Sequence, residues 1–97
     1  MIIELLDEAE EEFSEAVIWY ESRETGLGVR FRNEVVHVLE RIGEDPLLWR
    51  ERAGGYRRVN CPVFPYYIPY FIRGEKVMVA AVAHDRREPN YWMSRLP

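Results

Sequence analysis

Two stretches with helical periodicity follow one another in the first half of the chain, and they constrain its fold more than any other feature. In the first stretch, Asp7 can cap a helix. The apolar positions that follow it at helical spacing are Ala9, Phe13, Ala16, Val17 and Tyr20. In the second stretch they are Phe31, Val35, Val38, Leu39 and Ile42. Because only a turn around Gly26-Leu27-Gly28 separates the stretches, they are predicted to pack as an antiparallel helix hairpin.

The second half of the chain supplies a layer for this hairpin to lie on. Its short apolar and aromatic runs predict strands over residues 56–61, 66–73 and 76–84, with Gly74-Glu75 as a two-residue hairpin loop. Residues 2–6 are predicted to form an edge strand. The expected fold class is α+β, in which a short N-terminal strand and an antiparallel two-helix hairpin pack on a three- to four-stranded antiparallel sheet. One domain is expected to cover residues 1–97.

The hairpin loop predicts the strand register and therefore the two faces of the sheet. Arg73 is placed opposite Lys76, and stepping back places Tyr67 opposite Val82. The face expected to receive the helices carries Tyr66, Ile68, Tyr70, Ile72, Val77, Val79, Ala81 and Ala83. The other face carries Tyr56, Arg58, Tyr67, Phe71, Arg73, Lys76, Met78, Val82 and His84. Pro69 cannot donate a ladder hydrogen bond, so a bulge or gap is expected opposite Ala80.

The second face mixes aromatic residues, a methionine and cations, which favours a binding surface over an ordinary solvent face. The alternative is that C-terminal residues fold back over it, with Tyr91 and Trp92 as the cover. His84 closes a buried strand, so it is either a functional group or a hydrogen-bonded end-cap of the sheet. The glutamates of the first helix are interpreted as a solvated face; they are Glu8, Glu10, Glu11, Glu12 and Glu15.

Charge separates along the chain. Residues 1–48 hold thirteen Asp and Glu against four Arg, whereas residues 49–97 hold nine Lys and Arg against four Asp and Glu. The basic half can meet an acidic protein or a polyanion, although an ordinary acidic helix face beside an arginine-bearing sheet has the same pattern. A single cysteine, no signal peptide and no membrane-length apolar run favour a cytoplasmic protein. Cys61, His37 and His84 are too scattered for a ligand set, so no metal or other cofactor is expected.

The helix hairpin and three-stranded meander occur together with three local motifs. These motifs are Gly26-Leu-Gly28-x-Arg-Phe31, Phe64-Pro-Tyr66, and His84-x-Arg-Arg-x-Pro-x-Tyr-Trp92. In this order they resemble the RelE/ParE superfamily of type II toxins over nearly the whole chain, and most of all its ParE-like, plasmid-stabilisation branch. The resemblance implies a toxin that is neutralised by a small antitoxin encoded alongside it. Its target would be either DNA gyrase or ribosome-bound mRNA.

Inhibition of gyrase is the first functional prediction, because it needs a binding surface and no catalytic constellation. The resemblance places that surface near the C-terminal basic residues, and the candidates are Arg86, Arg87, Tyr91, Trp92 and Arg95. Arginine and aromatic side chains dominate the energetics of protein interfaces, which suits this role. The antitoxin is expected on the open sheet face, at Tyr67, Phe71, Met78 and Val82.

A ribosome-dependent mRNA endonuclease of the RelE type is the alternative. Cleavage through the ribose 2′-hydroxyl needs a base, cationic donors at the phosphate and an acid. The candidates for those roles are His84, Arg58, Arg73 and Tyr91. The only lysine, Lys76, lies at a hairpin tip, and the first sheet strand offers no carboxylate. A third possibility is an attenuated, non-enzymatic module that binds its antitoxin. Each of the three functions is compatible with either a homodimer or a toxin–antitoxin hetero-oligomer.

Overall fold

The computed structural model describes residues 1–97, and its elements confirm the α+β class. The helices and strands, in chain order, are β1 (Ile2–Leu5), α1 (Asp7–Arg23), α2 (Leu27–Glu44), β2 (Arg57–Asn60), β3 (Tyr66–Arg73), β4 (Lys76–Val79) and β5 (Ala83–His84). A single turn of 3-10 helix covers Met93–Arg95. No helix is long and apolar enough to cross a membrane.

The predicted helix hairpin is present, and glycine makes it possible. Gly26 has a φ of 90°, which favours a residue without a side chain. At Gly28, an added Cβ would lie 2.5 Å from the carbonyl oxygen of Val17, so only glycine lets α2 approach α1 so closely. The Glu21 carboxylate accepts the amides of Gly26 at 2.8 Å and Gly28 at 3.0 Å, and it therefore caps the free N–H groups at the start of α2.

The sheet has the strand order β1-β4-β3-β2, and β5 pairs with β3 beyond the end of β4. β1 is an edge strand, as predicted, but it runs parallel to β4. The sheet is therefore mixed rather than wholly antiparallel. Parallel neighbours need a long connection, and here the helix hairpin together with β2 and β3 lies between them in sequence.

The predicted register holds next to the hairpin loop and changes beyond Pro69. Arg73 pairs with Lys76 and Tyr70 with Val79, as predicted, whereas Tyr67 pairs with Ala83 in place of Val82. One extra residue thus lies in the strand after β4, which confirms the irregularity expected opposite Pro69. Because side chains alternate, a shift of one residue moves every later side chain to the opposite face.

Two hydrophobic clusters pack on the two faces of the sheet. The cluster beneath the helices, here called the helix face, contains Ala9, Ala16, Phe31, Val35, Val38, Ile42, Val59, Ile68, Tyr70, Val77, Val79 and Val82. The cluster on the opposite side, the tail face, contains Tyr56, Tyr67, Phe71, Met78, Ala80, Ala81, Ala83 and Trp92. Residues 85–97, the C-terminal tail, supply Trp92 to the second cluster, with Tyr91, Met93 and Leu96 packed around it.

The prediction of an open second face is therefore wrong, and the alternative that Tyr91 and Trp92 cover it is correct. Of the four residues predicted to bind the antitoxin there, Tyr67 is 5% exposed, Phe71 3% and Met78 8%. The fourth, Val82, is 2% exposed and lies on the helix face, because the extra residue in its strand moves its side chain to the opposite side of the sheet. None of these four side chains offers a surface to a partner while the tail is in place.

Candidate functional site at the end of the sheet

Trp92 holds the tail against the sheet. Its ring is fully buried and meets the Tyr56 ring edge to face at 4.7 Å between centroids. Its indole Nε1 donates a 2.9 Å hydrogen bond to the Tyr67 hydroxyl, so the one polar atom of the ring is satisfied. Trp92 was predicted to contact a target, but a side chain with no exposed surface cannot do so. It is a core residue of the tail face.

Glu12 holds the rest of the tail from α1. Its two carboxylate oxygens each accept a 3.1 Å hydrogen bond from the guanidinium of Arg95, and Oε2 also accepts the Tyr91 hydroxyl at 2.6 Å. Arg87 Nη1 adds a longer contact of 3.3 Å. We call these four residues the Glu12 clamp. Glu12 Oε1 also accepts a 3.1 Å hydrogen bond from the backbone amide of Val82. This N–H, in the irregular stretch after β4, therefore has a hydrogen-bond partner.

The clamp corrects two predictions. Glu12 was interpreted as part of a solvated face, but its side chain is only 13% exposed. Arg95 was predicted to contact a target, but its side chain is 15% exposed and also donates to the carbonyl oxygen of Ala80 at 3.0 Å. The sequence does hold a signal for Glu12, because it lies three residues after Ala9 and four before Ala16, on the same buried stripe of α1.

Tyr91 and Arg87 form the half-exposed rim of the clamp. The pKa of the Tyr91 phenol is raised by burial and by its hydrogen bond to the Glu12 carboxylate, so the phenol stays protonated and donates. The Arg87 guanidinium stacks on the Tyr91 ring at 3.7 Å, and 55% of its side chain remains exposed. Of the five predicted target-binding residues, only Arg86 and Arg87 keep exposed side chains.

His84 lies at the end of the sheet, on the helix side rather than on the predicted open face. It pairs with Tyr66 across the ladder, and the two rings meet edge to face at 4.9 Å. Its Nδ1 accepts a 3.0 Å hydrogen bond from the backbone amide of Arg86. Because Nδ1 accepts, a neutral His84 ring carries its proton on Nε2. Nε2 is then a hydrogen-bond donor and not a base. This geometry fits a hydrogen-bonded end-cap, the alternative foreseen for His84.

The four residues predicted for RNA cleavage do not come together. Arg58 stacks on Tyr67 at 3.7 Å on the tail face, and Arg73 lies near the loop end of β3. His84 pairs with the opposite end of β3, at Tyr66, so seven residues of strand, or roughly 23 Å, separate it from Arg73. Tyr91 is held by Glu12. No phosphate could contact all four side chains at once.

Neither a metal site nor a nucleophilic thiol is formed elsewhere. No group of three or more His, Cys, Asp or Glu side chains is arranged to hold a metal ion. Burial, helped by the charge of Glu34, raises the pKa of the Cys61 thiol to about 12. The thiol is therefore protonated at neutral pH and unreactive.

Two comparisons with known proteins found matches, one by sequence and one by structure. The sequence matches the family model "ParE toxin of type II toxin-antitoxin system, parDE" over residues 3–89. Among solved structures, the fold is similar to that of a chain from the "Chromosomal ParDE TA system from P. aeruginosa", with a TM-score of 0.74 and 12% sequence identity. That alignment covers 87% of this chain and 95% of the other. No curated protein matches the sequence.

Proposed function

This chain belongs to the ParE toxin family of type II toxin–antitoxin systems, and we propose that it inhibits DNA gyrase in the cytoplasm and is neutralised by a cognate antitoxin. Membership of the family implies an antitoxin partner.

The observation that supports gyrase over RNA as the target is the separation of the nuclease candidates. His84, Arg58 and Arg73 lie on different faces or at opposite ends of the sheet, so the chain lacks the convergent groups that RNA cleavage needs. Inhibition by binding requires only an accessible patch. Arg86 and Arg87 form such a patch on the exposed turn after β5, and neither residue belongs to the hydrophobic core.

A different surface replaces the buried tail face as the antitoxin site. The outer edge of β1 is unpaired, and a groove of about 540 Å³ runs beside it, with apolar walls from Met1, Ile3, Leu5, Val36 and Leu39. A peptide that adds a strand to a free sheet edge gains main-chain hydrogen bonds, and the neighbouring groove accepts its side chains. Glu40 and Glu44 line the same groove, which favours a segment with basic residues.

Supercoiling by purified gyrase tests the target. We expect added protein to reduce supercoiling, and the double variant Arg86→Gln/Arg87→Gln to weaken inhibition by about 30- to 900-fold, because two interface arginines at roughly 1 to 2 kcal/mol each contribute about 2 to 4 kcal/mol together. The matched control is Arg30→Gln/Arg32→Gln, which removes two exposed arginines from α2. Unimpaired supercoiling with cleavage of ribosome-bound message would instead support the nuclease, and the absence of both activities would support the attenuated module.

The antitoxin surface is tested by hydrogen exchange. The probe is the protein encoded by a short reading frame that adjoins this gene, co-purified with the chain. We expect the amides of β1 to exchange more slowly in the complex, whereas those of β2, at the opposite sheet edge, stay unchanged. Protection of β2 with no change in β1 would place the antitoxin elsewhere.

A further inference from the structure

A pocket of about 490 Å³ opens between α1, the start of β3 and the turn after β5, and no function assigned above uses it. Its walls are Trp19, Tyr20, Pro65, Tyr66, His84 and Arg86. The volume lies within the range of about 300 to 1,000 Å³ that small ligand sites occupy. The pocket also borders Arg86, so anything bound there would contact one of the two arginines proposed to meet the target.

The walls of this pocket are aromatic and held in place by the core. The Tyr20 ring lies 5.0 Å and the Tyr66 ring 4.8 Å from the fully buried ring of Phe31. Trp19 meets Tyr20 edge to face at 5.1 Å, and 52% of Trp19 is exposed. The floor is thus rigid, whereas one wall is open to solvent. A preorganised apolar floor lowers the entropy cost of binding.

The polar side chains of the pocket can all donate hydrogen bonds. Burial raises the pKa of the Tyr66 phenol to about 12 and also raises that of Tyr20, so both hydroxyls stay protonated, and neither is hydrogen-bonded within the protein. His84 offers Nε2–H, because its Nδ1 already accepts the Arg86 amide. The Arg86 guanidinium adds a positive charge at the mouth. No carboxylate lines the pocket, so its chemistry is complementary to an anionic acceptor.

The surrounding charges limit how much negative charge the ligand can bear. An adjoining groove of about 240 Å³ shares Trp19, Tyr66 and His84 with the pocket and is also lined by Glu12, Glu15 and Arg87. Glu12 is ion-paired with Arg87 and Arg95, so the carboxylate of this groove that has no salt bridge is Glu15. A nucleic acid strand, with one charge per nucleotide, would have to pass the Glu15 carboxylate. A ligand with a single carboxylate beside an apolar ring can reach the donors of the pocket without bringing further negative charge toward Glu15. The open Trp19 wall would leave a free small molecule poorly enclosed, so a side chain delivered by a larger partner fits better.

We propose that this pocket docks a short segment of a protein partner in which a carboxylate side chain adjoins an aromatic one. The carboxylate would meet Arg86, His84 and the two phenols, and the aromatic ring would lie against Trp19 and Tyr66. The inference deepens the proposed function, on which it rests for the presence of a protein target next to Arg86. Its test uses no gyrase, so a failure here is separate from a failure of gyrase inhibition.

The probe is the blocked dipeptide acetyl-Phe-Glu-amide, compared with acetyl-Phe-Gln-amide and with AMP, each titrated into the whole protein and followed by NMR of the Trp19 indole and the His84 ring. For a ligand this small we expect a dissociation constant on the order of 1 mM. The amide peptide, which lacks the charge, should bind at least about fivefold more weakly. AMP should bind more weakly than the acidic peptide, because its phosphate brings more negative charge toward Glu15.

Two variants locate the binding. Arg86→Gln and Tyr66→Phe should each weaken the acidic peptide at least about threefold, and the matched control Arg30→Gln should leave it unchanged. Tyr66→Phe keeps the ring and removes only the donor, so it separates hydrogen bonding from packing. The proposal is overturned if the titrations do not saturate, if both peptides bind equally, or if AMP binds more tightly, which would instead favour a nucleic acid partner.

Discussion

The helix face and the tail face of the sheet are both fully packed, but they are built in different ways. The helix face is covered by two regular helices, and its twelve clustered core residues come mostly from strands and helices with clear periodicity. The tail face is covered by a segment whose only regular element is the three-residue helix Met93–Arg95. The first cover depends on many equivalent apolar contacts. The second depends on one buried tryptophan and on the carboxylate of Glu12, which is 13% exposed.

That difference predicts how each face responds to mutation. When one contact among many on the helix face is lost, the remaining contacts keep the helices in place. The tail has few anchors, so the loss of one of them removes a larger part of what holds it to the sheet. Trp92 and the Glu12 clamp join the tail to the sheet and to α1, and their partners come from positions 25 and up to 83 residues away in sequence. Substitutions at these anchors therefore test whether the tail face is a core or a detachable cover.

The largest effect is expected from Trp92→Ala. Truncation of a fully buried aromatic side chain typically costs about 3 to 5 kcal/mol, a large fraction of the roughly 5 to 15 kcal/mol that stabilises a domain of this size. Urea unfolding would measure the loss. The control is Trp19→Ala, at a site that is 52% exposed, which should cost less than about 1 kcal/mol. If both variants lost the same free energy of unfolding, Trp92 would contribute no more to stability than an exposed residue, and the tail would not be anchored through it.

The features that the sequence predicted well are local. The helix hairpin follows from apolar spacing and from the glycines of the turn, and the pairing of Tyr70 with Val79 follows from a two-residue loop only a few residues away. Each depends on neighbours in sequence, so periodicity is enough to infer it. The parallel pairing of β1 with β4 depends on which sheet edge is free, and no local pattern indicates that.

The errors at the site have two causes, and the first is a single residue inserted into a strand. Pro69 indicated an irregularity, but whether the extra residue lay in β3 or in the strand opposite could not be read from spacing. That choice decides the faces of Val82 and His84. Glu12 was missed because a glutamate on a helix is normally solvated, and its partners lie in the irregular tail. Side-chain pairing over such distances is set by the tertiary fold.

An intermediate effect is expected from Glu12→Gln. The substitution keeps the shape of the side chain but leaves the Arg95 guanidinium, 15% exposed, without its counter-ion. Breaking a fully buried pair costs about 3 to 5 kcal/mol, and the remaining exposure of both side chains reduces this to about 2 kcal/mol. Glu11→Gln, on the exposed side of α1, is the matched control and should change stability little. A loss at Glu12 no greater than that at Glu11 would mean that the clamp contributes nothing.

The smallest effect is expected from Tyr91→Phe, and its dependence on pH separates the tail face from the helix face. Tyr91 donates to a carboxylate at 2.6 Å, so losing its hydroxyl should cost about 1 kcal/mol at pH 7. Tyr70 provides the comparison, because its hydroxyl is buried on the helix face and donates to the neutral carbonyl oxygen of Pro46 at 2.6 Å. Tyr70→Phe should lose a hydrogen bond of similar geometry.

Alkaline pH then tests the role of the carboxylate. Burial raises the pKa of Tyr70 to about 12, and burial together with Glu12 raises that of Tyr91. A raised folded-state pKa means that the unfolded chain releases its proton first, so each tyrosine's contribution is complete below about pH 10 and is lost as pH rises toward the folded-state value. The difference in stability between each Phe variant and the parent should narrow above pH 10.

The variant Glu12→Gln tests the carboxylate directly. Without the carboxylate, the difference in stability produced by Tyr91→Phe should depend less on pH. The difference produced by Tyr70→Phe should keep the same pH dependence in Glu12→Gln as in the parent. Urea unfolding at pH 7 and pH 10.5 measures all four combinations, and an identical pH dependence of the difference produced by Tyr91→Phe with and without Glu12 would show that burial alone raises this pKa.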